Sequence, residues 1–191
     1  KRTVEFFIFF FFTKNGQSIS LDSKKRDVVP DLEIFVHSGT KGPAQFGHVD
    51  LYYNGLVLSY GNYDKKSKRL FDSVGDGIFF TTPHKDKYLE FCIDYSQKTI
   101  FGFGLSLSDI QKAAVEKAID EIKADLIPWM PDAIAGGKEV EENDYPSRLY
   151  QETDATFYKF SKGSFKTYFL FGTNCVLLAD RIVGPSGTDI L

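Results

Sequence analysis

The chain has 191 residues, enough for one domain with a real core and few for two. A formal net charge of −3, with 26% charged and 42% hydrophobic residues, is an ordinary soluble, globular composition without the basic footprint that phosphate binding leaves, which sets nucleic acid aside as a partner. Two cysteines make at most one disulfide, so cysteine count assigns no compartment, and the 19 Phe imply a bulky core or an apolar groove without choosing between them.

In chain order, Phe6 to Phe12 is an apolar run of seven, far short of the ~20 residues a spanning helix needs, and no small-residue cleavage pattern follows it. A buried strand over residues 3–12 is expected, within an N-terminal extension of residues 1–30; the alternative is the tail of a trimmed signal or anchor segment. No stable membrane span is expected. A second strand is expected over residues 32–37. Residues 47–53 and 56–61 flank Asn54-Gly55, the strongest short hairpin signal a sequence offers. In that register residue 53 faces 56 and His48 faces Gly61, so His48, Asp50, Tyr52, Val57, Ser59 and Gly61 share one face. Lys65, Lys66, Lys68 and Arg69 read as a solvated turn. Residues 77–81 and 88–95 are expected to be strands, with Cys92 a bystander thiol on the more polar face of the second.

The period then changes. Ser108 and Gln111 form a capping box, and Ile110, Val115, Ala118, Ile119, Ile122 and Leu126 recur at helical spacing until Pro128. This predicts an amphipathic core helix of about five turns. Residues 128–151, with Gly136-Gly137 and an acidic stretch from Glu139 to Asp144, read as a long loop and a candidate lid. Strands over 156–160 and 165–170 precede a last helix, which starts at Thr173 or Asn174 and is stopped after Val183 by Gly184-Pro185. Strands, helix, strands, helix is an α+β order in a single domain, residues 1–191.

Cys175 falls in the first turn of that last helix. Unpaired N–H groups and the positive dipole end favour an anion there. They lower a thiol pKa and could stabilise an oxyanion. His48 begins a strand just after Gly47, with room around its ring. His37 and His84 sit in less structured settings, and three histidines without close Cys or paired-carboxylate spacing argue against zinc or another metal.

The stretch Phe46-Gly47-His48-Val49-Asp50-Leu51-Tyr52-Tyr53-Asn54-Gly55, followed by Leu58-Ser59-Tyr60-Gly61, resembles the "GHV, strand, NG, strand, S-[FY]-G" element of the circularly permuted NlpC-type, papain-like cysteine hydrolases. Gly172-Thr173-Asn174-Cys175-Val176 resembles their "NC" helix start, and the His strand precedes the Cys helix, as in permuted members. The resemblance implies an antiparallel sheet with the nucleophile-bearing helix packed on it, Cys175 as nucleophile, His48 as base, Tyr60 and Asn174 at the substrate, and no cofactor. A third residue normally orients the base. No His, Asn or Gln stands at the family's position; Ser59 and Asn62 are preferred, and Asp50 lies on the His48 strand. The implied activity is acyl-enzyme hydrolysis of cell-wall peptide or protein in the bacterial envelope or outside the cell. The alternatives are acyl transfer or thioester cleavage on an acyl-lipid, and a non-catalytic binding or effector module.

Overall fold

Asn54 and Gly55 both sit at positive φ, 48° and 79°, the left-handed backbone a tight two-residue hairpin turn requires. They join β3 (His48–Tyr53) to β4 (Leu56–Gly61) with Tyr53 opposite Leu56, as the turn length dictates. The computed structural model of the protein describes residues 5–12, 29–38, 47–188 and 190. The expectations for residues 1–4 and 13–28, and Phe46 of the quoted motif, lie outside them.

From this hairpin an eight-stranded sheet extends in the order β1-β7-β2-β3-β4-β6-β9-β8. Its members are β1 (Glu5–Phe12), β2 (Leu32–Ser38), β6 (Ile78–Thr82), β7 (Thr99–Ser106), β8 (Leu126–Trp129) and β9 (Thr156–Phe160) beside the hairpin, and every neighbouring pair is antiparallel. A separate two-stranded ribbon pairs β5 (Val74–Asp76) with β10 (Thr167–Phe169). Five α-helices complete the described residues: α1 (Lys85–Asp94), α2 (Asp109–Lys123), α3 (Asp132–Ala135), α4 (Tyr145–Thr153) and α5 (Cys175–Val183). The class is α+β, and among the described residues no helix is long and apolar enough to cross a membrane.

The pleat sorts side chains into two cores. Val49, Leu51 and Tyr53 of β3 pack with α2 and α5 through Val115, Ile119 and Leu178. On the opposite face, Phe35, Val57 and Phe80 pack with α1 and α4 through Tyr88, Phe91 and Leu149. Each large aliphatic chain so buried contributes about 1.5–3 kcal/mol. The even residues His48 and Asp50 belong to the α1/α4 side of β3. This alternation puts two polar side chains over the second core, where they need partners.

The capping box of α2 forms as expected, Ser108 accepting from Gln111 N–H and the Gln111 side chain reaching back to the Ser108 N–H. The helix has 15 residues and ends at Lys123, so Leu126 and Pro128 lie in β8, and Ile110 is exposed rather than on the core face. Three expectations need correction. Residues 88–95 are not a strand: they belong mainly to α1, whose buried Tyr88, Leu89, Phe91 and Cys92 fit a helical stripe as well as an alternation. Residues 128–151 are not one loop, since β8 continues to Trp129 and α3 and most of α4 follow. Pro146 in the first turn of α4 starts a helix rather than breaking one. Residues 165–170 divide into a 3-10 turn (Ser164–Lys166) and the short β10. β7, unmarked in the sequence because Gly102 and Gly104 dilute its strand signal, is a central strand between β1 and β2.

Candidate active site

The site forms where β3 parts from β4. Their ladder runs only from Tyr53 opposite Leu56 to Leu51 opposite Leu58, whereas β4 stays paired with β6 as far as Gly61. His48 and Asp50 therefore lie in the splayed end. Gly47, at φ 76°, turns the chain into β3 in the left-handed region that favours glycine. On the other side β2 pairs with β3 so that His37 stands directly opposite His48.

Asp50 is the centre of the polar cluster. Its carboxylate lies 2.7 Å from His48 Nε2 through Oδ1 and 2.7 Å from His37 Nε2 through Oδ2. Tyr88 of α1 donates its hydroxyl hydrogen to Oδ2. The two imidazoles meet edge to face, centroids 5.4 Å apart. Ser59 Oγ is 3.1 Å from His48 Nε2, and Tyr63 OH is 3.1 Å from Ser59 Oγ. His48 Nε2 thus has Asp50 and Ser59 as near partners, with Tyr63 OH at 3.5 Å.

Cys175 reaches this cluster from the other side of the sheet. α5 packs against β3 and β4, and its first residue, Cys175, interacts electrostatically with the His48 side chain and the Val49 backbone. The helix start is held by Asn174, whose Oδ1 accepts from Leu177 N–H at 3.1 Å while Nδ2 donates to the Leu170 carbonyl at 2.9 Å. The first intrahelical bond, Leu178 N–H to the Asn174 carbonyl, comes after the Cys175 and Val176 N–H groups. Those groups are the donors that a helix start leaves for an anion.

The electrostatics follow from burial and pairing. Burial opposes charge on His48, but the Asp50 carboxylate and the Cys175 thiolate outweigh it and raise the imidazole to about 10. Burial pushes the Cys175 thiol up, and the His48 charge and hydrogen bond, with the Val49 N–H, bring it below its ordinary value. Burial also works against the Asp50 charge, yet His48 and His37 hold the carboxyl well below its usual range. His37 goes the opposite way: burial, only partly offset by Asp50, depresses it to about 4. One carboxylate therefore serves one imidazolium, His48, and one neutral imidazole, His37. The opposite shifts, thiol down and imidazole up, each favour the charged form.

A cleft of about 410 Å³ opens onto this pair. His37, His48, Tyr63, Tyr145 and Tyr168 line it, with Lys98 at its edge. Cys175 lies just beneath the lining at 5% exposure. The stretch expected to be a lid does reach the cleft, as Asn143, Tyr145 and Pro146, but as the start of α4 rather than as a loop.

Of the residues singled out from sequence, the fold brings Cys175, His48 and Ser59 together. It does not bring Asn62 to His48: Asn62 Nδ2 donates to the Asp72 carbonyl at 3.2 Å, and its amide packs on Gly75 in the cleft wall. Tyr60, on the opposite face of β4 from Ser59, is buried with its hydroxyl donating to the Phe165 carbonyl at 2.9 Å, so it underlies the site rather than lining it. Asn174 is occupied as a cap. His84 pairs with Asp154 at 2.9 Å at the start of α1. Cys92 is a buried free thiol inside α1, pushed up by burial to about 11. The residues that sequence reasoning passed over are His37 and Tyr88, along with the central place of Asp50. For Asp50 the signal was present, an i, i+2 partner on the His48 face. For His37 and Tyr88 it lay in strand pairing and helix packing that no local pattern displays. Among the described residues, no group of three or more His, Cys, Asp or Glu side chains is arranged to hold a metal ion.

No protein-family model, curated protein or solved structure matches this chain.

Proposed function

We propose that the protein is a cysteine hydrolase of papain-like, permuted NlpC-type architecture, in which Cys175, His48 and Asp50 act as nucleophile, base and orienting carboxylate. The observation that carries this reading is the buried Cys175–His48–Asp50 chain at the mouth of a cleft, with the thiol drawn down and the imidazole drawn up. The order His strand, then Cys helix, supports the permuted architecture.

The thiolate attacks the substrate carbonyl carbon, forming a C–S bond and an oxyanion. The N–H groups at the start of α5 are suited to hold that oxyanion. His48 gives its proton to the leaving nitrogen, the C–N bond breaks, and an acyl-enzyme thioester remains. Water then attacks the thioester carbonyl while His48 takes its proton. The C–S bond breaks, a carboxylic acid leaves, and the thiolate–imidazolium pair is restored. The substrate class is an amide of cell-wall peptide or protein, in a bacterial envelope or secreted setting. A second reading, cleavage or transfer of an acyl-lipid ester or thioester, is favoured by one observation: the exposed apolar residues Leu70, Phe71 and Phe169 in loops and strand ends bordering the cleft.

The test is intact-mass detection of an acyl adduct on Cys175 after incubation with peptidoglycan fragments and, separately, with acyl-lipids. Cys175→Ala and His48→Ala should each abolish adduct and turnover while the fold persists. Full turnover by either variant overturns the Cys175–His48 assignment, and a Cys175 that titrates with iodoacetamide as an ordinary thiol overturns the reading in favour of a binding module.

A further inference from the structure

The chain holds an apolar turn open beside the cleft. Leu70, Phe71 and Asp72 occupy left-handed backbone in succession, at φ 49°, 54° and 66°, although none is glycine. The turn is tied at its base by reciprocal backbone bonds between Arg69 and Val74, at 2.8 and 3.2 Å. Ser73 Oγ donates to the Leu70 carbonyl at 2.5 Å, and Asn62 Nδ2 donates to the Asp72 carbonyl at 3.2 Å. The result is a built tip whose Leu70 is 70% exposed and whose Phe71 is fully exposed. Backbone in this unfavourable region persists where the surroundings over-determine it, and such outliers point to a use.

A second apolar edge lies next to it. β10 pairs with β5 so that Phe169 is opposite Val74, and Leu170 N–H donates to the Ser73 carbonyl at 2.9 Å. Phe169 and Phe171 are exposed there and stack edge to face with centroids 5.9 Å apart. Phe71, Asp72, Ser73, Tyr168 and Leu170 all border the cleft. The apolar tip is thus at the cleft mouth.

The flank of the tip carries four basic residues against Asp64 and Asp72. Lys65, Lys66, Lys68 and Arg69 immediately precede the tip, the cluster a solvated turn alone would explain. Lys66 pairs with Asp132 at 2.7 Å, Lys68 lies 3.6 Å from Asp72 and Lys65 Nζ reaches Asn143 Oδ1 at 3.5 Å, with Lys65, Lys66 and Arg69 all exposed. Exposed aromatic and aliphatic side chains flanked by lysine and arginine are the composition that enters a lipid–water interface while the cations meet anionic headgroups.

We infer that the 65–73 turn, together with Phe169 and Phe171, is a docking surface for an anionic lipid bilayer and presents the cleft to the membrane face. The inference is independent of the Cys175 chemistry, and its test needs no substrate. Vesicles of equimolar phosphatidylglycerol and phosphatidylcholine should bind the protein at low salt at least roughly ten-fold more strongly than vesicles of phosphatidylcholine alone, and added salt should weaken the binding. Lys65→Glu with Arg69→Glu should weaken it by roughly five-fold or more per residue changed. Leu70→Ser with Phe71→Ser should abolish it without changing the melting temperature, since both side chains are exposed. In Phe71→Trp, the tip's emission should shift to the blue when anionic vesicles are added. Equal binding to both vesicle types, unimpaired binding by the serine variant, or no shift in the tryptophan variant overturns the inference. So does self-association of the parent that the serine variant loses, because the tip would then dock a second copy of the chain.

Discussion

Asp50 is the residue on which the site's charges depend. It is fully buried, and its charge is what favours protonated His48 against the burial that opposes it. Asp50→Asn keeps the shape and removes the charge. Activity should fall by about 10²–10⁴-fold, and the pH at which Cys175 becomes reactive should move up toward the ordinary thiol range. An unchanged pH profile of Cys175 alkylation would show that Asp50 merely fills space. Ser59→Ala removes the hydroxyl's contacts with His48 Nε2 and Tyr63 OH, each at 3.1 Å, and should lower activity only about five-fold. At this scale the sequence was informative about Cys175 and His48, because a cap and a strand start are local features. It was less informative about the orienting group. Asn62 and Ser59 follow the strand where the family pattern looks for that group, whereas the fold turns the carboxylate two residues beyond His48 back toward the ring.

Among the elements, α5 and the β3–β4 hairpin matter most. Asn174 satisfies one N-terminal donor of α5 and ties the helix to Leu170, so Asn174→Ala should cost about 1 kcal/mol. That loss lowers the melting temperature by about 2–4 °C for a chain of this size. Asn174→Asp should recover most of the stability, and failure of that rescue would show that the Leu170 contact matters more than the cap. The hairpin and α2 were legible because Asn-Gly and a Ser/Gln capping box each specify backbone chemistry within four residues. α1 and α4 were not. Apolar residues at 89, 91, 93 and 95 alternate like a strand while 88, 89 and 92 repeat like a helix, and packing against Phe80 and Phe157 in the second core decides between them.

For the whole molecule, the buried charges set the response of stability to pH. His48, raised to about 10, contributes stability that is complete below its ordinary 6.5 and is lost as the pH rises through about 10. Cys175, held below its ordinary 9.0, contributes stability that is present above 9.0 and is lost as the pH falls. Below 9.0 the two slopes oppose each other wherever Cys175 stays ionised in the folded chain, so the pair offsets part of its own pH dependence. His37 is buried and neutral, and from 6.5 down to about 4 the unfolded chain binds a proton that the folded chain refuses, which drains stability. Urea midpoints should therefore fall below pH 6.5 and again above 9.0, and His37→Asn should make the acid fall shallower. An acid limb identical to the parent's would mean that His37 titrates normally. By itself the sequence determined the α+β class, the hairpin and its register, the capped helices, and the places of His48 and Cys175 at element starts, because all of these rest on interactions within a few positions. Only the tertiary structure decided that His37 and Tyr88 share the Asp50 carboxylate, that β7 runs through the sheet, and that Cys175 reaches His48 across its splayed edge. Those contacts join residues far apart in the chain, and their energies come from burial and pairing that exist only once the sheet is assembled.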